Sequence, residues 1–598
     1  MTITLSAGTV YAGVNVSKGN PLVALAGSVW ELSTVLSGGS ATLSSGATGG
    51  YLTIDQGGLV QGAGQLAGNT AVFGGLKGLT LGSGSVEIYS GGTASGLTVS
   101  GNVGASLLQI QSGGSVTNTV LVSGIETIYA GGSATGDSVQ SGGQLFLDGG
   151  SASQETVLSG GLFILGGNLS SNLTLISGAV SSTETLSGVS VLSGASIGVF
   201  GATVLSGVTL TASSGATVVG AAVAHGGTLT GSATLSGYTT VAGSARGVSV
   251  GSGGELVISS GGHTSGVTGD DLSTISVGFG GVAASTVVSS GAQFVDYGSA
   301  TSTTVTSLGV AAVHSGGVTS GDIISSGGKE YISSAGSAVG AAVLSGGVEY
   351  VLASGAARST TVSGGGSELV SSGGEALGVN LLAGGKLVDN GAVRFGGAGT
   401  LAGTLSGSGA VAQTAAGTLL LSGDGAKFGG EAVISGGTIE LGASGALGSG
   451  YVQFVAPSTG SGVLQIDHAD APKAAGSFAN TLSNFASAGE DVDLAGLAFH
   501  AGASATLAGS TLTLSDGGNA YSFKLAGNTA ASYAVVSDGH GGTLIEAGLA
   551  GAAVVAFAQA AAAFAPTNAT NVALASAGTS SSLITLGHAT GSAGAAHV

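Results

Sequence analysis

Apolar residues along this chain come in short bursts with a period near two, and each burst runs into a glycine-containing turn. The segments VEIYSGGTASGLTV (86–99), IETIYAGGSATGDSV (125–139) and SGGELVISSGGHTSGV (252–267) show the pattern. Short stretches of Val, Ile, Thr and Tyr between glycine turns read as β-strands. A helix would carry a glycine every turn or so, each costing about 1 kcal/mol relative to alanine.

The bursts recur. Blocks opening at Ser290, Ser307, Ser326, Ser345 and Ser363 lie 17, 19, 19 and 18 residues apart. Three of them place Glu330-Tyr331-Ile332, Glu349-Tyr350-Val351 and Glu368-Leu369-Val370 at one repeat position. The predicted fold is all-β: a right-handed parallel β-helix (β-solenoid) of about 18–20 residues per coil, with Val, Leu and Ile stacked inward. Ser, Thr and Glu are expected to face outward. Roughly 440 repeat residues make about 23 coils and a rod on the order of 110 Å.

Composition narrows the classes. Glycine accounts for 120 of 598 residues, and cysteine is absent, which excludes disulfide and thiolate-metal scaffolds. Four prolines exclude collagen, and none lies between Pro21 and Pro457, where a proline would remove a ladder hydrogen bond. Ten Lys and Arg against 29 Asp and Glu, a net charge of −19, exclude a phosphate-tracking nucleic-acid binder. A mean hydropathy of +0.54 and recurrent Val, Leu and Ile exclude a flexible Gly/Ser linker.

The pattern divides the chain into an N-terminal cap at 1–30 with Trp30 over the first apolar layer, Gly-rich repeats at 31–456, a C-terminal β region at 457–548, and an Ala-rich tail at 549–598. The tail predicts a short C-terminal helix stopped by Pro566. Met1 is followed by neither a basic segment nor an apolar run, so no N-terminal export signal is expected, and no run is apolar and long enough for a transmembrane helix.

Two resemblances follow from these residues. The SGGxExVxSGGxAxGxxV texture over roughly 30–450 resembles the passenger repeats of AIDA-type autotransporter adhesins, which implies a surface β-helix. Autotransporters end in a membrane barrel, however, whereas this chain ends in LITLGHATGSAGAAHV. DVDLAGLAF (491–499), LTLSDGGNAYSFKLAGN and YAVVSDGHGGTLIEAG resemble the C-terminal portion of alphaproteobacterial type I secreted proteins. That resemblance implies export through type I secretion machinery on an uncleaved C-terminal signal, here the 549–598 tail.

Candidate chemistry is sparse. The nonapeptide calcium array is missing. Glu490, Asp491 and Asp493 form a weak metal cluster, yet strand alternation puts Glu490 on the other side from Asp493 and leaves few oxygens for calcium. No cofactor is expected, calcium being the single open question. Asp270-Asp271 and Asp467/Asp470 read as solvated turns. Glu330, Glu349 and Glu368 are expected as a surface ladder, either a solvated edge that discourages lateral pairing or a cation-binding strip. Tyr331 and Tyr350 are expected to stack on neighbouring strands, for packing between coils or for binding sugars. Scattered cations and single histidines give no catalytic constellation.

The expectation is thus a non-enzymatic, secreted or cell-surface β-solenoid of a Gram-negative bacterium, acting as an adhesin or a biofilm or extracellular-matrix protein. Its partners would be a host or abiotic surface or an extracellular polysaccharide. The alternatives are a self-assembling filament or surface-layer subunit and, less in keeping with the sequence, a polysaccharide-active β-helix enzyme.

Overall fold

The computed structural model describes residues 1–101, 106–456, 460–467 and 471–548. The described residues are all β, a parallel solenoid of about 24 turns. A representative coil contains Lys329–Ile332, Ser337–Val339 and Ala342–Val343. These lie on a long, a middle and a short face, named here for strand length. Each strand pairs with its counterpart one coil on, so Glu330 sits over Glu349 and Glu349 over Glu368, 19 residues apart each time. The inter-strand hydrogen bonds therefore run along the axis of the stack. Coil length varies, with 15 residues between Leu235 and Val250 and 37 between Leu173 and Leu210. Extra residues leave the stack between strands, and the pairing resumes after them, with a one-residue shift of register between Leu165 and Gly167.

The Ser-Gly-Gly turn has a separate physical reason for each glycine. Gly346 has φ of 79°, the left-handed region that glycine enters without penalty. Gly347 is not left-handed, but a Cβ there would lie 2.2 Å from the Ile324 carbonyl oxygen of the previous coil. The first glycine turns the chain and the second lets successive coils close to strand spacing.

The core is a set of columns running the length of the lumen. One long-face column reads Leu256, Ile275, Phe294, Ala311, Glu330, Glu349, Glu368, Leu387, all in register. All eight are buried.

The ends differ from the sequence reading. Residues 1–30 are not a separate cap: Ile3–Leu5 pairs in parallel with Leu22–Ala24, and Val10–Ala12 with Val29–Glu31. Trp30 belongs to the second coil, fully buried in register between Tyr11 and Gly49, and its indole N–H donates to the Val14 carbonyl at 3.2 Å. The solenoid also extends past 456, since Gly462–Ile466 pairs in parallel with Gly437–Leu441 and then with Glu490–Leu494. Apart from a local hairpin of Glu184–Leu186 on Val189–Val191, antiparallel strand pairing is confined to this end, where Thr543–Ala547 joins Glu490–Leu494, followed by Tyr533–Ser537. A second antiparallel set, Ser504–Ala508, Thr511–Asp516 and Asn519–Ala526, closes the middle face. Phe485, tilted against Phe454 at 4.9 Å and Tyr533 at 5.3 Å, fills the junction. The Ala-rich tail with its expected helix, together with Pro457 and Asp470, lies outside the described residues.

Candidate functional site

The three glutamates expected on the surface are inside. Glu330, Glu349 and Glu368 are each 0% exposed, in the lumen column just described. Strand alternation explains the inversion: in KEYI, VEYV and SELV each Glu shares its face with the inward Ile332, Val351 or Val370 two residues on. Tyr331 and Tyr350 take the opposite face and project outward, their rings parallel within 5° and 4.6 Å apart.

Other acids join the buried run. Asp296 and Asp389 occupy the neighbouring long-face column, and Asp322 comes from the short face. Glu330 reaches across the lumen, where the Thr319 hydroxyl of the middle face donates to it at 3.2 Å. Asp322 accepts from the Thr303 N–H, and Asp296 and Asp389 accept from Gly298 and Gly391 N–H, each at 2.9 Å. Both carboxyl oxygens of Glu368 are sealed without a hydrogen-bond partner, and no lysine or arginine is buried among the described residues.

Carboxylates without counter-cations in a dry interior give up their protons at higher pH than they do in water. Burial drives Glu330 well above the ordinary carboxyl range, reinforced by Asp322 and Glu349. Glu368 is raised likewise by burial and then by Glu349 and Asp389. Burial raises Glu349 to about 7, partly offset by the Thr360 hydroxyl, and raises Asp389 to about 7 and Asp296 to about 6. A smaller group sits nearer the N-terminus, where burial and Asp137 raise Glu155 to about 8 and Glu126 is raised by burial and then Asp137. Asp137 N–H donates to Glu155 at 2.6 Å. No repeat position flags this second group in the sequence.

Outside the acidic run one outward column is apolar. Val295, Ala312, Tyr331, Tyr350, Leu369 and Val388 form one in-register outward column on the long face, bounded by Ser276 and Ser406. On the same face Tyr297, 42% exposed, stacks on His314 at 4.9 Å. Over these coils polarity is turned inside out.

The acidic cluster at the C-terminal end separates as alternation requires. Glu490 points inward and accepts from Ala486 and Ser487 N–H at 2.7 and 2.8 Å. Asp491 and Asp493 take the other face, where burial raises each to about 6, with Glu546 adding to Asp491 and Asp538 to Asp493. Among the described residues no three Asp, Glu or His converge as metal ligands. Asp270 accepts from the Ser289 hydroxyl at 3.1 Å, and Asp271 occupies a left-handed turn position.

Sequence reasoning did not single out Asp516. Its buried carboxylate accepts from His500 N–H at 3.1 Å and from the Thr543 hydroxyl at 3.1 Å, with His500 Nδ1 at 3.1 Å. Thr543 also contacts the Leu497 carbonyl at 2.9 Å. The acid lies between hydroxyl and imidazole, so the imidazole does not bridge to the hydroxyl as a nucleophile's base must. The arrangement pins two turns together.

No helix among the described residues is long and apolar enough to cross a membrane. No protein-family model matches the sequence, and no curated protein matches it. Among solved structures, the chain is similar to a hyper-glycosylated fragment of TibA, residues 55–350, glycosylated by TibC; identity is 25%, with 64% of this chain and 99% of that one covered and a TM-score of 0.19.

Proposed function

We propose that this chain is a secreted or cell-surface structural solenoid that works as an adhesin or extracellular-matrix component, holding its partner through many weak contacts along the stack. The observation that carries this reading is the coil-to-coil register, which repeats each outward position at strand spacing over about 24 turns. An array of that kind converts small affinities per coil into avidity. The AIDA-type texture of the repeats supports the same reading. A hydrolytic or lyase role is disfavoured because the acids that cluster in the repeats are sealed in the lumen, away from any substrate.

The test is adhesion under flow. Beads coated with the full chain are expected to be retained on glass, epithelial cells or polysaccharide gels, with release by excess soluble chain; retention no greater than that of albumin-coated beads overturns the reading. Export is proposed to depend on the C-terminal region, so removal of 549–598 should leave the protein inside the cell, and undiminished secretion refutes the type I route.

A filament is the second reading. It is favoured by Ile3–Leu5 and Val10–Ala12, which among the described residues pair on one side alone and offer the other to the strands of a second copy. Val10 is 60% exposed. Electron microscopy separates single rods from end-to-end fibres.

A further inference from the structure

The long face over Gln293–Asp389 differs from its neighbours in three respects on its outer side. It carries the apolar column, with two aromatic stacks beside or within it. It also carries Lys329 and Lys386, two of the ten basic residues of the chain, at one register position three coils apart. At strand spacing the two ammonium stems stand about 14 Å apart, and neither is salt-bridged among the described residues. No acidic side chain projects outward from the long-face strands here, because Asp296, Glu330, Glu349, Glu368 and Asp389 all point into the lumen. In a protein of net charge −19 this strip is locally cationic.

We propose that this strip binds a polyuronate, a polysaccharide with a carboxylate on each sugar, which deepens the adhesin reading and rests on it. Tyr331 and Tyr350 stack face to face, so they turn their edges and hydroxyls outward, and the two phenol O–H groups, one per coil, line up along the direction in which a chain-like ligand runs, placed to hydrogen-bond its hydroxyls and carboxylates. The lysines flank the pair as point charges for carboxylates. Carboxylates spaced one per sugar suit two separated point charges, whereas a polysulfate, with its higher charge density, calls for a denser set of cations than two.

Buried acids are part of the design of this strip. Placing them outward, as the sequence first suggests, would set a row of carboxylates beside the tyrosines and repel an anionic chain. Turned inward, they leave no carboxylate beside the lysines on the outer side.

The test uses the full chain with polygalacturonate, neutral dextran and dextran sulfate as probes, read by isothermal titration and affinity electrophoresis. Polygalacturonate is expected to bind at low salt and weaken as salt rises, with dextran much weaker. Y331F/Y350F, which keeps the ring stack, should lose about tenfold in affinity from the two phenol hydrogen bonds, and Y331S/Y350S at least as much. K329Q/K386Q should lose about fivefold and most of the salt dependence. Circular dichroism and melting of each variant confirm the fold. Equal binding of dextran and polygalacturonate, or tighter binding of dextran sulfate that ignores the tyrosine changes, overturns the assignment. So does a wild-type dimer in sedimentation that Y331S/Y350S converts to monomer without any polysaccharide shift, since the face would then serve a second copy. Retention of beads under flow by wild type and every variant alike would remove the strip while leaving the adhesin reading intact.

Discussion

Two stretches of one lumen column carry opposite chemistry on the same backbone. Leu256, Ile275 and Phe294 fill it with hydrocarbon, and Glu330, Glu349 and Glu368 fill it with carboxyl groups, all fully buried and all in parallel register. The difference teaches that register, set by the turns and the axial hydrogen bonds, does not depend on an apolar lumen. An acid is tolerated there when it stays protonated, since the neutral form avoids most of the penalty of burying charge. The comparison can be broken in several ways.

Alkali should have the largest effect. The folded pKa values of the acidic stretch lie above the unfolded ones, at about 7 for Glu349 and Asp389, about 6 for Asp296, and well above normal for Glu330 and Glu368. The folded state therefore holds more protons than the unfolded state across this window. Stability is complete below about pH 4, the unfolded carboxyl range, and falls as pH rises through 6 and 7 and beyond. At about 1.4 kcal/mol per proton per pH unit, the stretch loses several kcal/mol. Hydrogen exchange at pH 9 should show coils 293–389 opening well before coils 208–290; equal protection of both refutes the difference.

Exchanging the residues should come next. Leu256→Glu is expected to cost about 2–4 kcal/mol at pH 8 and to import a pH dependence into the hydrocarbon stretch, whereas Glu349→Leu stabilises by about 1–3 kcal/mol and flattens the slope. Urea unfolding at pH 5 and pH 8 measures both. Gly347→Ala should cost about 1–3 kcal/mol at any pH, because its Cβ meets backbone and the coils must part. The smallest effect is expected of Tyr331→Ala, about 0.5–1.5 kcal/mol from the lost ring stack, with the pH slope unchanged. A large loss would mean that this outward pair holds the coils together.

Much of this was legible in the residues. Repeating Ser-Gly-Gly blocks, proline avoidance and strand-like bursts lead to coil length and parallel stacking with no further information. The side on which the glutamates lie was also encoded, because Glu330 is two residues from Ile332, Glu349 from Val351 and Glu368 from Val370. Treating acidic residues as outward by nature set that alternation aside. The limits of the solenoid were harder to read, since Trp30 and Lys18 look foreign to the repeat although the first coil pairs in ordinary register. The link of Asp516 to His500 and Thr543 joins residues 16 and 27 positions away, and neither spacing nor periodicity reports such a contact.

Because the bonds between coils are parallel to the long axis, tension applied along it acts on one rung at a time. Each 19-residue winding that peels away releases on the order of 60 Å of slack, so a cell tethered this way would ride out a sudden pull by paying out line in steps. The stretch with proton-loaded acids would be the first to yield in alkaline surroundings, giving the tether a fuse whose rating follows the medium.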